Sequence, residues 1–430
     1  MKFFINKKEF LSVFAVTLLQ QGMVACSTYF LIQLTSSQNN ASEFLWQLFG
    51  FLACLVLVYI PLSLQKYCGE KWVLSLQRKY VARFKQAFKG RIDLAGNATA
   101  EDEKFGFMQR EAFHVIDQVT FYWTDLLTTG LNVFLNILVI GATLDSSFFG
   151  AYIVSFLIYG VIAALVSQKL GRWSGDAQTA RVAHSSVLNK MWSTLLVGNK
   201  LNLNQYNKHE ETRFGELSDI ALKTRVKMEV VQVLTSFATM APILGLLVYL
   251  IVDKLQNPIL LVPMIATLHR QIQIVQHIEV IGTLGLQYQS VKSLVMGFMQ
   301  SLEAPEKQDL QSRIKMDAIV LKTENQRTLI KGPNGAGKSS WLKLKKEELG
   351  EKAVYVPANM DLYFENISEE MSSGQRAMAV LKELEEAGLQ QQVVLLDEWD
   401  ANLDTANREL LSQVVEKLSQ ANQVYEIRHG

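Results

Sequence analysis

Six apolar stretches constrain this chain more than any other feature. They run roughly over 10–34, 44–64, 126–144, 148–166, 230–252 and 258–286, each long enough or nearly long enough to cross a bilayer as a helix. Hydrocarbon offers the backbone no hydrogen-bond partner, so such segments fold as helices that satisfy themselves. Composition agrees: 49% of the 430 residues are hydrophobic and only 19% are charged, which is apolar for a soluble protein of this length. A formal charge of +1 gives no basic field for a nucleic-acid partner. Cys26, Cys54 and Cys68 show no paired spacing, which argues against a disulfide framework or a metal centre.

The connecting segments set an orientation. Residues 66–118 and 169–227 carry ten Lys or Arg each, and Lys2, Lys7 and Lys8 precede the first stretch. The opposite connections, 36–43, 145–147 and 253–257, carry only Lys254. By the excess of positive charge on the cytoplasmic side, both termini and both long loops are expected in the cytoplasm, in a multi-pass protein of a cytoplasmic (inner) membrane. The start also reads like a lipoprotein signal ending at Cys26, but the apolar run continues through 34, and its removal would leave five crossings.

A break at "SLEAPEKQDLQSR" replaces the helical apolar pattern with charge and a proline. It divides the chain into an expected membrane domain over 1–300, a linker over 301–312 and a small domain over 313–430. In the small domain "DAIVLK" and "RTLIK" predict two strands, and "SSWLKLKKEEL" predicts a helix closed by Gly350. "AVYVPA", "VVLLD" and "QVYEIRH" predict further strands, separated by helices at "SSGQRAMAVLKELEEAG" and "DTANRELLSQVVEKLSQ". That alternation predicts a mainly parallel sheet. The two long loops are read as membrane helices extended into the cytoplasm, each with a short reversal, near 93–105 and 195–206.

The firmest chemical signal is "GPNGAGKSS": Gly332, Pro333, Asn334, Gly335, Ala336, Gly337, Lys338, Ser339 and Ser340. It fits the phosphate-binding pattern G-x-x-x-x-G-K-[ST] between a strand and a helix. The glycines let backbone N–H groups face phosphate oxygens, and the helix N-terminus adds positive potential. Lys338 would neutralise terminal phosphates, and the Ser339 hydroxyl would bind Mg²⁺. The buried strand "VVLLD" ends at Asp397, placed to hold the same metal ion. Glu398 follows and would polarise an attacking water.

With these motifs in place the sequence resembles the ATP-binding cassette (ABC) family. "MSSGQRA" is similar to the family signature, usually written LSGGQ, and it stands before "LLDE", "ANLD" and His429. The six stretches and two long loops resemble the exporter-type membrane domain. The resemblance implies a membrane α-helical domain of six transmembrane helices followed by a reduced C-terminal α/β P-loop cassette, with ATP and Mg²⁺ as cofactors. It implies that Ser373, Gly374 and Gln375 touch ATP held by a second copy of the chain. Asp404 would lie at that interface, and His429 would contact the terminal phosphate. The working unit would then be a homodimer. Lysine, paired acids and histidine are all present, so the resemblance implies an ATPase. The chain also departs from the pattern. Ala358 stands where the family has a glutamine, with Asn359 beside it. Ser372 follows Ala358 by only 14 positions, and Ser373 replaces a usual glycine.

The sixth stretch is only half apolar. Arg270 lies about 18 Å along a helix from Pro258, near the bilayer midplane. Arg270, Gln273 and His277 share one helical face, with His269 and Gln276 beside it. Polar groups at that depth must face protein or water. One reading is a hydrophilic cavity for a polar solute such as a small peptide, and the other is hydrogen bonding between helices. The sequence therefore predicts an ATP-driven exporter. The alternatives are a weakly hydrolysing ABC-like gate or sensor and an ABC-type peptide uptake protein.

Overall fold

The computed structural model describes all residues except 1–2, 5–6, 38–39, 254–257, 359–361, 369, 402 and 429–430. In chain order the helices are α1 (Lys7–Ser36), α2 (Ala41–Leu57), α3 (Tyr59–Phe88), a one-turn α4 (Ala98–Ala100) and α5 (Phe113–Thr143). They continue as α6 (Ser147–Leu188), α7 (Met191–Val197), α8 (Lys200–Asp253), α9 (Pro258–Ala266) and α10 (Leu268–Ser301). The chain divides into two compact units. One comprises Met1–Lys79 and Ala112–Phe298, the other Tyr80–Glu111 and Met299–Gly430.

The first unit is helical. Among the described residues, five helices are long and apolar enough to cross a membrane: Lys8–Ser36, Ala41–Phe88, Glu103–Thr143, Ser147–Val197 and Lys200–Asp253. The sixth expected stretch, 258–286, is divided between α9 and α10 and is not among those five. Both helix breaks have local causes. Pro61 has no N–H for the Leu57 carbonyl, and the chain interrupts between α2 and α3 at Val58. Thr267 turns its hydroxyl back onto the Pro263 carbonyl at 2.8 Å, a bond that bends helices, at the junction of α9 and α10. The interior is built from Val133 and Ile140 of α5, Phe148 and Tyr152 of α6, Ile243 and Leu250 of α8, and Ile274, Val275 and Ile278 of α10.

The reversal in the second long loop overlaps the stretch read from the sequence, 195–206. The short helix is α7, and Gly198 ends it in a left-handed conformation (φ 67°). Residues 200–206 are already the first turns of α8. Gly198 lies inside the expected 195–206, where a left-handed glycine closes one helix before the next begins.

The second unit contains a five-stranded sheet. Its strands are β1 (Val320–Glu324), β2 (Arg327–Lys331), β3 (Ala353–Val356), β4 (Val393–Asp397) and β5 (Gln423–Ile427), in the order β1-β2-β5-β4-β3. β2, β5, β4 and β3 are mutually parallel, and β1 joins β2 antiparallel through a tight turn at Asn325 (φ 55°). Three helices cover it: α11 (Lys338–Leu349), α12 (Ser373–Glu386) and α13 (Thr405–Ala421). Strand alternation sorts the core. Val356, Val394, Leu396 and Val424 face α12 and α13, while Ala353, Leu395 and Ile427 face α11. β1 starts later than the expected 317, because Met316–Ala318 forms a 3-10 turn. The Ala318 carbonyl lies against Gly332, and the Lys315 N–H donates to the Ala336 carbonyl at 3.0 Å, so these residues back the glycine loop instead of extending the strand.

Candidate nucleotide site

Because β2, β5 and β4 run parallel and side by side, the loops leaving their C-terminal ends share one edge of the sheet, the usual place for a ligand in such sheets. β2 leads into Gly332–Gly337 and then α11. Gly335 (φ 79°) and Gly337 (φ 86°) adopt the left-handed conformation that glycine tolerates. Gly337 has a second reason to be glycine: an added Cβ would strike the Arg313 carbonyl oxygen and lie 2.9 Å from Ile314 Cα. At Gly332 it would lie 2.7 Å from the Ala318 carbonyl oxygen. The Lys338 ammonium arches back over the loop, donating to the carbonyls of Gly332 (2.7 Å) and Pro333 (3.3 Å).

Ser339 joins this loop to β4. Its hydroxyl donates to Asp397 Oδ1 at 2.9 Å, and the Tyr355 hydroxyl of β3 donates to Asp397 Oδ2, also at 2.9 Å. Asp397 is 4% exposed. Burial pushes its carboxyl above the usual range, against the two hydroxyl donors, and the nearby Glu398 charge adds to the rise. Burial also raises the Tyr355 phenol, with the Asp397 charge acting in the same direction. A buried carboxylate bonded by neutral hydroxyls, with a serine oxygen 2.9 Å away, is a hard-oxygen donor set suited to Mg²⁺. Ser339 and Asp397 thus fit the metal role read from the sequence, and the glycine loop fits a phosphate chain.

Glu398 has φ 46°, a strained conformation for a residue with a side chain. Its N–H donates to the Ile427 carbonyl at 2.9 Å, adding one bond beyond the β4–β5 ladder. Its half-buried carboxylate makes no hydrogen bond or ion pair to any described residue. His429 and Asn359 lie outside the described residues.

The other expected nucleotide contacts carry structural bonds of their own. Ser372 caps α12: its hydroxyl accepts from the Gln375 N–H (3.3 Å) and its own N–H donates to Gln375 Oε1 (2.9 Å), a reciprocal capping box. Ser373 and Gly374 form the first turn of that helix. Asp404 caps α13, accepting from the Asn407 N–H at 2.7 Å.

The sequence reading missed a buried cluster behind this edge. Glu426 of β5, 2% exposed, accepts from Arg327 of β2 at 2.9 and 3.1 Å and from the Trp399 indole N–H at 3.1 Å. Arg428 lies 3.2 Å from the same carboxylate. The cluster clamps β2, β5 and the turn after Glu398. A tryptophan directly after the paired acids and an arginine opening β2 were the available signals.

In the helical unit, Arg270 donates to Gln273 Oε1 at 2.9 Å, and the Gln273 amide lies 3.0 Å from His269 Nε2. His277 is half-buried, and its Nδ1 finds no partner among the described residues. Gln276 is exposed. The sequence reading missed Glu279, which accepts from Ser236 (2.8 Å) and Thr239 (2.9 Å) of α8. It also missed the pairing of Thr28 with Asn136 at 2.8 Å. Side chains 40 or more positions apart make these bonds, so no local pattern announces them. In comparisons with family models and with curated proteins, nothing matches this chain.

Proposed function

We propose that the chain is an ABC-type half-transporter that uses ATP and Mg²⁺ to export a polar solute, such as a small peptide, across a cytoplasmic membrane as a homodimer. The observation that carries this reading is the Ser339–Asp397 bond. It joins a glycine loop of phosphate-binding geometry to the strand end bearing Glu398. The five long apolar helices supply the membrane setting, and α9 with α10 would complete a sixth crossing. The cassette is residues 313–430, the termini and long loops are cytoplasmic, and the polar residues around Arg270 line the solute path.

In this reading the backbone N–H groups of 332–340 hold the phosphate chain, and Lys338 exchanges its carbonyl partners for phosphate oxygens. Bound Mg²⁺ would supply charge neutralisation on the phosphates, held through Ser339 and Asp397. Glu398, with its carboxylate unengaged, orients a water and accepts its proton, and His429 contacts the terminal phosphate. Ser373, Gly374, Gln375 and Asp404 of a second copy face that nucleotide across the dimer.

The test is ATP hydrolysis by the purified chain in lipid nanodiscs. Glu398→Gln is expected to lower turnover by about 10²–10³-fold while ATP still binds. Binding without turnover in either protein would favour a gate or sensor. No binding would sink the nucleotide reading, and ATP-driven accumulation in inverted vesicles would distinguish export from uptake.

A further inference from the structure

Glu279 of α10 is held by α8. Its Oε2 lies 2.8 Å from the Ser236 hydroxyl and its Oε1 2.9 Å from the Thr239 hydroxyl. Ser236 and Thr239 fall inside the apolar run 230–252, about 9 and 14 Å along the helix from its start. An ionisable side chain at such depth is costly and calls for a partner or a function. Among the described residues Glu279 has no ion-pair partner, and α8 carries no charged or titratable side chain between Glu229 and Tyr249. The titratable groups on the other elements packed against α10 are engaged elsewhere. Tyr122 of α5 donates to the Leu284 carbonyl (3.1 Å), and Asp125 accepts from the Thr129 hydroxyl (3.5 Å). Tyr159 of α6 lies against Gly282, and the Tyr152 hydroxyl bonds none of the described residues. On α10 itself Arg270 bonds Gln273, and His277, two positions from Glu279, points to the opposite side of the helix.

A hydroxyl carries one proton, and that of Thr239 has three acceptors in reach. They are Glu279 Oε1 (2.9 Å) and the carbonyls of Thr235 (3.0 Å) and Ser236 (3.1 Å). With Glu279 ionised, both hydroxyls donate to it. With Oε1 protonated, the acid donates to the Thr239 oxygen and the Thr239 proton turns to the Thr235 carbonyl, while Ser236 still donates to Oε2. The hydrogen bonds close in both states without moving a heavy atom. Oxygens at hydrogen-bond separation leave room between them for a proton and none for a metal ion. The carboxyl also has an aqueous approach. Gln276, Thr283, Gln287 and Ser290 are exposed and share the Glu279 side of α10. A polar stripe thus runs about 16 Å from Glu279 to Ser290, and at membrane depth such a stripe faces water or protein rather than hydrocarbon.

We propose that Glu279 is a proton-binding site of the helical unit, loaded along the stripe that ends at Ser290. The proton leaves a water molecule at the stripe, forms the O–H bond on Oε1 and returns by the same route, so no other covalent bond changes. Both partners sit on α8. A movement that parts α8 from α10 strips the carboxyl of its two hydroxyls and changes its hold on the proton, which links helix movement to proton uptake and release. This inference rests on the membrane reading above and adds the proton as a second ligand of the helical unit.

The test is infrared difference spectroscopy of the full chain in lipid nanodiscs, without nucleotide, with circular dichroism to confirm that each variant is folded. The pH is lowered from about 8 to about 6, above the range in which exposed glutamates take up protons. A carboxylic C=O band is expected to appear in the wild type and to be lost in Glu279→Gln. Ser236→Ala, which removes the hydroxyl donated to that C=O, is expected to keep the band at higher frequency, and it carries the test if Glu279→Gln does not fold. Glu229→Gln, which removes a carboxylate paired with Arg225 (2.7 Å), is the control and should leave the band unchanged. A wild-type spectrum in Glu279→Gln, or a band that Ser236→Ala leaves in place, would overturn the proton site. No nucleotide is present, so a failure to bind ATP would sink the ATPase reading and leave this result standing.

Discussion

In the helical unit Leu45, Trp46, Phe49, Phe121, Leu165 and Phe237 are 63–72% exposed, while Gln21, Thr28, Gln65 and Asn136 are buried and hydrogen-bonded to one another's helices. In the α/β unit Leu381, Val394, Leu395, Leu411 and Val415 are buried. There the amphipathic helices α12 and α13 turn their charged sides outward. The same residue types are sorted in opposite senses because the surrounding solvent differs. Hydrocarbon rewards no burial of leucine and penalises every unpaired polar group, whereas water does the reverse.

Three hydrogen-bonded carboxylates extend the contrast. Glu279 is held by two hydroxyls between helices, Glu426 by a guanidinium fork, and Asp397 by hydroxyls alone. Glu426 is matched in charge and so serves the fold. Asp397 has two hydroxyls, of Ser339 and Tyr355, as its side-chain hydrogen-bond donors.

The largest effect is expected where that matching is broken. Glu426→Ala leaves Arg327, only 14% exposed, with Glu416 as its remaining carboxylate partner among the described residues, and should cost about 3 kcal/mol of stability. A urea midpoint for the α/β unit equal to that of the wild type would show that the cluster is incidental. Next comes a paired test of the two surfaces. Phe237→Lys on α8 should cost about 2.5–3.5 kcal/mol of membrane insertion. Leu410→Lys on α13, 45% exposed, should change stability by less than about 0.5 kcal/mol. Normal insertion of the first variant would mean that this face of α8 does not meet lipid.

The smallest effect carries a sign. The Asp397 pKa is raised in the fold, so the stability it lends is present only while it is protonated and is lost as pH rises from the ordinary carboxylate value of 3.8 through its folded value. Without nucleotide or metal, Asp397→Asn should therefore raise the melting temperature near neutral pH, with a gain that shrinks on acidification. An unchanged difference across the pH range would remove burial as the cause of the shift.

Much of the α/β unit was legible because its signals are local. The expected helix at "SSWLKLKKEEL" is α11, closed by Gly350 (φ 57°), and "VVLLD" is β4. The glycine loop stood out because its conformations need glycine at Gly335 and Gly337. The candidate site was only half legible. Ser339 and Asp397 were paired by motif, but Tyr355, 42 positions from Asp397, was not. Its role depends on β3 lying beside β4, and strand order is written in no local pattern.

The sequence by itself determined that long apolar helices precede a small α/β unit, and that a glycine-rich loop opens one of its helices. Hydrophobic run length and glycine spacing act over a few turns of chain, so they need no tertiary partner to be read. Only the tertiary structure decided that β5 lies between β2 and β4, that Glu279 bonds α8, and that Lys343 reaches Ala95 from 248 positions away. Contacts of that range arise when buried polar groups choose among all the partners that packing brings near.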